Sequence, residues 1–471
     1  MSVTSAPPSH ANENTTRIVW ALAWPAVALN SLQVVNSLLD GSFVGHLDSS
    51  SLIAYGGMMP VLFLMFSFAM SIAAAATALV SRAYGANNTP EYHRATRQAL
   101  SLSIFGGFSL AGVCWLIAPI VASRLLPHGQ AEASALMAHF IRIYALGLPA
   151  IFVIQALAGS LRGVGDTKSP MVISGIQIGA HMLLNFLLIF PPRTFWGATL
   201  PGANLGLAGA ATALTTSAWI SAGIYIVFAA RTKIGTQWRV ELPAWSWVKR
   251  IVRIAAPAAV MSVMRVGSLT LFQLILNNVA DGPVAIPAMR TGFAIESIMF
   301  MPSFGLSMAA AALVGQSLGM RRPERAEALG WKAAHHAAFV TLALCVPIFL
   351  GAEFLAGTML GDKVQVIHEA GILIRFLCTT EILFAYAMVL TGAMQGAGDT
   401  QQPMILTFVS LILLRVPVAY WTSLSATQTV LLPGLGLGAS GAWFAMALSS
   451  GVMGVLSIFL FRQGKWKTTK V

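Results

Sequence analysis

The chain has 471 residues, of which 56% are hydrophobic and only 9% charged. A water-facing globule carries roughly a quarter charged residues, so there is too little polar surface here to cover one. The formal net charge of +12 would suit nucleic acid, but the basic residues sit in short loops between apolar runs. That pattern points to an all-α polytopic membrane protein and excludes a nucleic-acid partner.

Residues 1–16 are polar and lack the apolar core of a signal peptide, so a disordered tail followed by a retained first span is expected. Runs of ~20 apolar residues cross a bilayer. Twelve such spans are expected near 17–41, 52–80, 97–121, 135–160, 170–190, 205–230, 251–279, 284–318, 331–355, 368–394, 402–424 and 435–461. The loops alternate in charge. One side carries Arg17, Arg82, Arg94, Arg97, Arg162, Lys168, the basic stretch 231–253, Arg321, Arg322, Arg325, Lys332 and the basic tail 462–471. The other carries only Arg124, Arg193 and Lys363. Basic loops mark the cytoplasmic side, so both termini are expected there, in a multi-pass protein of the cell membrane. Cys114, Cys345 and Cys378 lie in apolar runs and read as small buried residues, with no disulfide framework and no CxxC metal pair.

The first span carries Asn30, Gln33, Ser37 and Asp40 at spacings that place them on one helical stripe, with Asn36 beside it. An intramembrane carboxylate costs at least about 2.5–3.5 kcal/mol, so Asp40 is a functional candidate; its bland alternative is a helix-end residue at the interface. The fifth span offers a second stripe, Ser174, Gln177, His181 and Asn185. His181 is either a proton-exchanging group or an ordinary interhelical hydrogen bonder. Gln155, Thr212 and Thr215 could complete this cluster. In the second half Arg265, Glu296, Glu381 and Arg415 fall near mid-span, two of each sign. They read as a mutually paired, static cluster fixing helix register, or as a substrate or gating site. The methionines at 58, 59, 65, 70, 261, 264, 299, 301 and 388 could line an adaptable apolar cavity or simply pack. No catalytic constellation, metal cluster or cofactor motif is present in the sequence, so an intramembrane enzyme is a remote alternative.

The halves repeat. Residues 140–170 contain IRIYALG and GSLRGVGDTKSP; residues 373–403 contain IRFLCTT and GAMQGAGDTQQP. Arg142 matches Arg375, Asp166 matches Asp399 and Pro170 matches Pro403, all at a shift of 233. Residues 79–85 (LVSRAYG) match 313–319 (LVGQSLG), and Pro25 matches Pro257. Six spans per repeat make the halves parallel, with a binding site between them. The domains expected are a first lobe over 17–230, a linker over 231–250 and a second lobe over 251–461. The paired turns Gly163, Gly165, Asp166 and Gly396, Gly398, Asp399 follow helices rather than strands, so they are not phosphate loops. Their glycines permit a tight turn and their aspartates can cap the next helix; a gating role is the alternative.

On these motifs the chain resembles the multidrug and toxic compound extrusion (MATE) family. The resemblance rests on GxGDTxxP after the fourth and tenth spans, on Pro25, Gln33, Asp40 and Gly45, on LVGQSLG, and on Arg415-Val416-Pro417 with Ala419-Tyr420. It covers residues 17–461 and is nearest the DinF-like branch. It implies two six-helix lobes in a V around a central cavity, exporting lipophilic compounds, more often cationic, against H⁺ or Na⁺. It also implies that Asp40 is the coupling acid, within a set of Gln33, Asn36, Gln177, His181 and Asn185. Relatives carry Asn where His181 stands. Sodium-type members carry Glu eight residues after the seventh-span proline, where this chain has Arg265, so H⁺ is the expected ion. A lipid-linked saccharide flippase of the same fold is the alternative function. Substrates, ions and membrane lipids are the expected partners, and the protein is expected to be a monomer without cofactor.

Overall fold

The computed structural model describes residues 15–126, 129–195, 198–232, 234–235, 241–429 and 433–469. Twelve membrane-length apolar spans cross it. They are α1 (Thr15–Gly45), α2 (Ser49–Gly85), α3 (Thr89–Leu125), α4 (Ala131–Gly163), α5 (Lys168–Ile189), α6 (Gly206–Ala230), α7 (Trp245–Asn277), α8 (Gly282–Gly319), α9 (Pro323–Leu350), the broken span described below, and two further helices. A short helix, α10 (Ala352–Leu360), precedes α11 (Val364–Gly396). The eleventh span is α12 (Gln401–Thr407), a π-helical stretch Phe408–Arg415 and α13 (Val416–Ser423); α14 (Gly438–Gln463) completes the set. A small antiparallel hairpin, β1 (Arg193–Phe195) and β2 (Ala198–Leu200), links α5 to α6.

Each span satisfies its own backbone, the condition for crossing lipid. Helix starts follow local chemistry. Asp48 accepts the Ser51 amide at 3.1 Å ahead of α2, and bonds from the Ser51 hydroxyl and amide hold its carboxyl below the usual carboxylate range. Asn88 accepts the Glu91 amide ahead of α3. Large apolar side chains face outward, Leu116, Phe339 and Leu350 among them at 68%, 72% and 77% exposure; in a membrane protein that is the lipid side. The expected linker is shorter than read from sequence, because α7 begins at Trp245 and the basic residues Lys249 and Arg250 lie on its first turns.

α2, α3 and α6 pack around α4 in the first half, with α5 against α6; in the second, α8 and α11 pack together, α9 lies against both and α14 against α11. The first helix of each half crosses to the other. Val19 and Ala23 of α1 share a core with Leu306, Ala309, Ala310 and Leu313 of α8. Trp247, Ile251 and Ile254 of α7 share one with Ala75, Ala76 and Leu79 of α2. A methyl at Gly305 would strike the Val27 backbone, which shows how closely α1 and α8 approach. The two crossings are counterparts in the repeat.

The lobes meet most tightly where the basic loops lie. Gly85 abuts the Gln316 carbonyl, Gly315 abuts Ser81 and Gly319 abuts the Arg82 carbonyl. The C-terminal segment, read from sequence as a basic tail, joins this seal. Gly464, at φ +74°, ends α14 and turns the chain back. Trp466 is then fully buried, stacked on Phe461 with ring centroids 4.6 Å apart and donating to its carbonyl at 2.8 Å. Lys467 pairs with Glu327 at 2.7 Å.

Candidate functional site

α1 and α5 run side by side in the first lobe, and their polar residues meet in register. Asn185 Nδ2 donates to Asp40 Oδ1 at 2.5 Å, and Asn36 Oδ1 lies 3.0 Å from His181 Nδ1. Both contacts span 145 residues, so two i, i+4 pairs face each other across parallel helices. His181 Nε2 stands 3.6 Å from Asp40 Oδ1 and 3.3 Å from Asn185 Nδ2. His181 and Asn185 are buried, at 2% and 0% exposure. With Nδ1–H donating to Asn36, the neutral ring presents Nε2 as an acceptor toward Asn185; the charged ring would present a second donor toward Asp40. Asn185 Oδ1 is buried without a hydrogen-bond partner.

The stripe read from sequence is rotated. Asn36 and Asp40 turn toward α5, while Gln33 and Ser37 are exposed and the Ser37 hydroxyl returns to the Gln33 carbonyl. Asn30 is buried and donates to the Ala26 carbonyl at 2.7 Å. Gln177 makes no hydrogen bond to the cluster, and Ser174 pairs with Tyr225 at 3.5 Å. Thr212 and Thr215 bond the carbonyls of Ala208 and Ile143. Tyr55 of α2 lies within electrostatic reach of Asp40; an isolated tyrosine in an apolar run gave no signal of that in sequence.

The second-lobe charges do not form the mutual pairs expected. Among the described residues no contact ion pair joins Arg265, Glu296, Glu381 and Arg415. Arg415, buried at the end of the π-helical stretch, instead donates to Ser449 Oγ at 2.7 Å and Ser450 Oγ at 3.1 Å. Glu296 is near enough to Arg415 for a charge–charge interaction, and Glu381 is buried beside Glu296. Arg265, within charge–charge reach of Arg415, also lines a cavity of about 160 Å³ at the lobe interface. Arg162, read from sequence as a loop charge, lines the same cavity from α4. Of the methionines expected there, Met70, Met261 and Met388 line it and Met308 joins them, whereas Met58, Met65 and Met299 are buried in helix packing.

The repeated turns serve both lobes. Gly165 and Gly398 each adopt φ +88°, a left-handed conformation open to glycine. Asp166 accepts the Ser169 amide at 3.0 Å, and Asp399 accepts the Gln402 amide at 3.2 Å. Burial pushes the Asp399 carboxyl above the usual carboxylate range. The turn carbonyls then accept bonds from the opposite lobe. Gln316 Nε2 donates to the Gly163 carbonyl at 2.9 Å, and Arg82 donates to the Ala397 carbonyl at 3.2 Å. Arg82, read from sequence as a loop charge, also donates to the Thr469 carbonyl at 2.6 Å. Arg97 pairs with Glu241 at 3.4 Å.

Two facing lobes, a cavity between them and a buried titratable cluster in one lobe can bind a solute and exchange a proton. The chain is 27% identical over 455 residues to the "Probable multidrug resistance protein NorM" of Thermotoga maritima, covering 96% of this chain and 93% of that protein. It is 25% identical to the FAD transporter of Shewanella oneidensis, over 81% of this chain and 82% of that one. The fold superposes on an outward-facing multidrug resistance MATE family transporter with a TM-score of 0.85 at 20% identity, covering 96% of both chains. The MatE family model matches residues 25–187 and 257–421, one stretch in each half. The chain therefore belongs to the MatE family, the multidrug and toxic compound extrusion transporters.

Proposed function

We propose that the protein is a proton-coupled exporter that works by alternating access, carrying lipophilic compounds out of the cell in exchange for H⁺ bound at Asp40. It sits as a monomer in the cell membrane, with its basic loops and both termini in the cytoplasm. The observation that carries this reading is the Asp40–Asn185–His181–Asn36 cluster. A carboxylate, an imidazole and two amides are enclosed between two spans, where a proton can be taken up without a metal or a water-filled cage.

Ionised Asp40 accepts the Asn185 amide. Protonated Asp40 has a new O–H that needs an acceptor. Asn185 Oδ1, buried and without a partner, supplies one after a half-turn of the amide. The change is felt along α1, whose far half contacts α5 and whose first half packs on α8 of the other lobe. Pro25 interrupts the backbone ladder between them and makes the bend inexpensive. Proton binding in one lobe thereby biases the contacts that seal the two lobes at the basic end. With that seal formed, this state faces outward.

H⁺ is favoured over Na⁺ because Arg265 lines the second lobe's side of the cavity and no carboxylate does. The cationic preference expected from sequence rests on Asp40 alone, and Asp40 is not on the cavity lining. The test is efflux from proteoliposomes under an imposed ΔpH, with and without Na⁺. Proton drive without a Na⁺ requirement is expected; efflux that follows Na⁺ and ignores ΔpH overturns the reading.

A further inference from the structure

The cavity between the lobes is lined by two arginines and by no acidic residue. Arg162 comes from α4 of the first lobe and Arg265 from α7 of the second. Arg162 is 6% exposed. Among the described residues no ion pair reaches either guanidinium, and neither donates a hydrogen bond within the protein. The acids of the transmembrane region lie elsewhere: Asp40 against α5, and Glu296 and Glu381 inside the second lobe near Arg415. Guanidinium stays charged at any physiological pH. Two such charges in a confined cavity need a counter-charge, and the protein supplies none on the lining.

We propose that this cavity takes the anionic head of an amphiphilic substrate, a carboxylate, sulfonate or phosphate monoester, so that the exporter carries organic anions rather than cations. Arginine forks match the planar or trigonal oxygens of such groups. The Ser71, Thr77 and Thr391 hydroxyls are committed to backbone carbonyls, which leaves the guanidinium N–H groups as the donors for the head, and Met70, Met261 and Phe304 offer an adaptable apolar surface for the rest of the molecule. The assignment deepens the exporter reading and rests on it for direction of transport. It has an electrical consequence. One H⁺ entering as one monoanion leaves moves two positive charges inward, so an inside-negative potential accelerates export. Exchange of one H⁺ for a monocation moves none.

Dansylglycine, a fluorescent aromatic carboxylate, and ethidium, an aromatic cation of similar bulk, separate the two classes. Equilibrium dialysis of the purified full-length protein should show dansylglycine bound at least tenfold tighter than ethidium. Arg162→Gln and Arg265→Gln should each weaken dansylglycine tenfold or more without weakening ethidium; size-exclusion profiles show which variants are folded. Wild-type counterflow of dansylglycine in proteoliposomes without any ion gradient checks the same point without a mutant. Tighter binding of ethidium, or unchanged dansylglycine affinity in the folded variants, or absence of dansylglycine counterflow, overturns the assignment. Dansylglycine counterflow that persists while ΔpH fails to drive net export supports the anion site and counts against proton coupling.

Discussion

Replacing Asp40 by Asn keeps the size of the side chain and a hydrogen bond to Asn185 but removes the exchangeable proton. Asp40→Asn is expected to fold normally, to retain substrate binding, and to lose at least tenfold of ΔpH-driven efflux in proteoliposomes; wild-type efflux from it would refute the coupling role. His181→Asn places a non-titrating amide between Asn36 and Asp40. It should keep transport within about threefold, on the scale of one modest hydrogen bond, while its pH–rate profile loses one titrating group. Glu381 is buried beside Glu296 and unpaired with either arginine. Glu381→Ala should lower thermal stability by about 2 kcal/mol through the space it empties, and Glu381→Gln by clearly less; equal losses would mean that volume is not what Glu381 supplies. The residue types of the first-lobe cluster were legible in the sequence, since periodicity put Asp40 on one helix and His181 and Asn185 on another. Their partner was not. Gln33, Asn36 and Ser37 are all polar neighbours of Asp40, and packing against α5, which no single-helix pattern encodes, selects Asn36. Arg162 escaped for a related reason: its place among loop charges hid that α4 carries it inward.

The paired turns act as sockets as well as caps. Asp166 and Asp399 start the following helices, while the carbonyls of Gly163 and Ala397 receive Gln316 and Arg82 from the opposite repeat. Gly319 lets α8 lie against the Arg82 carbonyl, and Gly319→Ala would force the two apart. Labelling of a cysteine placed at Ser81 from the basic side should rise several-fold in that variant; unchanged labelling would mean that the seal tolerates the methyl. Asp399 gives a pH test. Its carboxyl is raised by burial, so the folded state holds its proton more tightly than the unfolded chain does. Stability from this group therefore falls as pH climbs through and above the ordinary carboxylate range. Asp399→Asn keeps a capping oxygen, should leave neutral-pH stability equal or higher, and should flatten that part of a melting-temperature profile. The repeat and the turns could be read directly from sequence, because identical motifs recur at a fixed shift. The reciprocal sockets could not, since they arise only when the two halves are brought face to face. Nor could the π-helical stretch before Arg415, whose residues are ordinary apolar helix formers until Arg415 must reach Ser449 and Ser450.

Across the whole molecule, fusions of a reporter at Gly235 and at the C-terminus should both read cytoplasmic, and one near Pro192 external; an external C-terminus would invert the proposed direction of transport. The C-terminal segment belongs to the machinery of closure. Trp466 anchors it in the second lobe, and Arg82 of the first lobe binds the Thr469 carbonyl beyond it. Removal of residues 464–471 should raise cysteine labelling from the basic side and lower the melting temperature, and Trp466→Ala should do the same in part; a truncated protein with wild-type labelling would make the contact incidental. This placement bears on how the protein is handled at the bench. A purification tag or fluorescent protein joined directly after Thr469 would hang from a carbonyl that bolts one lobe to the other. Such a fusion would load the bolt in every transport measurement made with it, so a long spacer after Thr469 is the safer design.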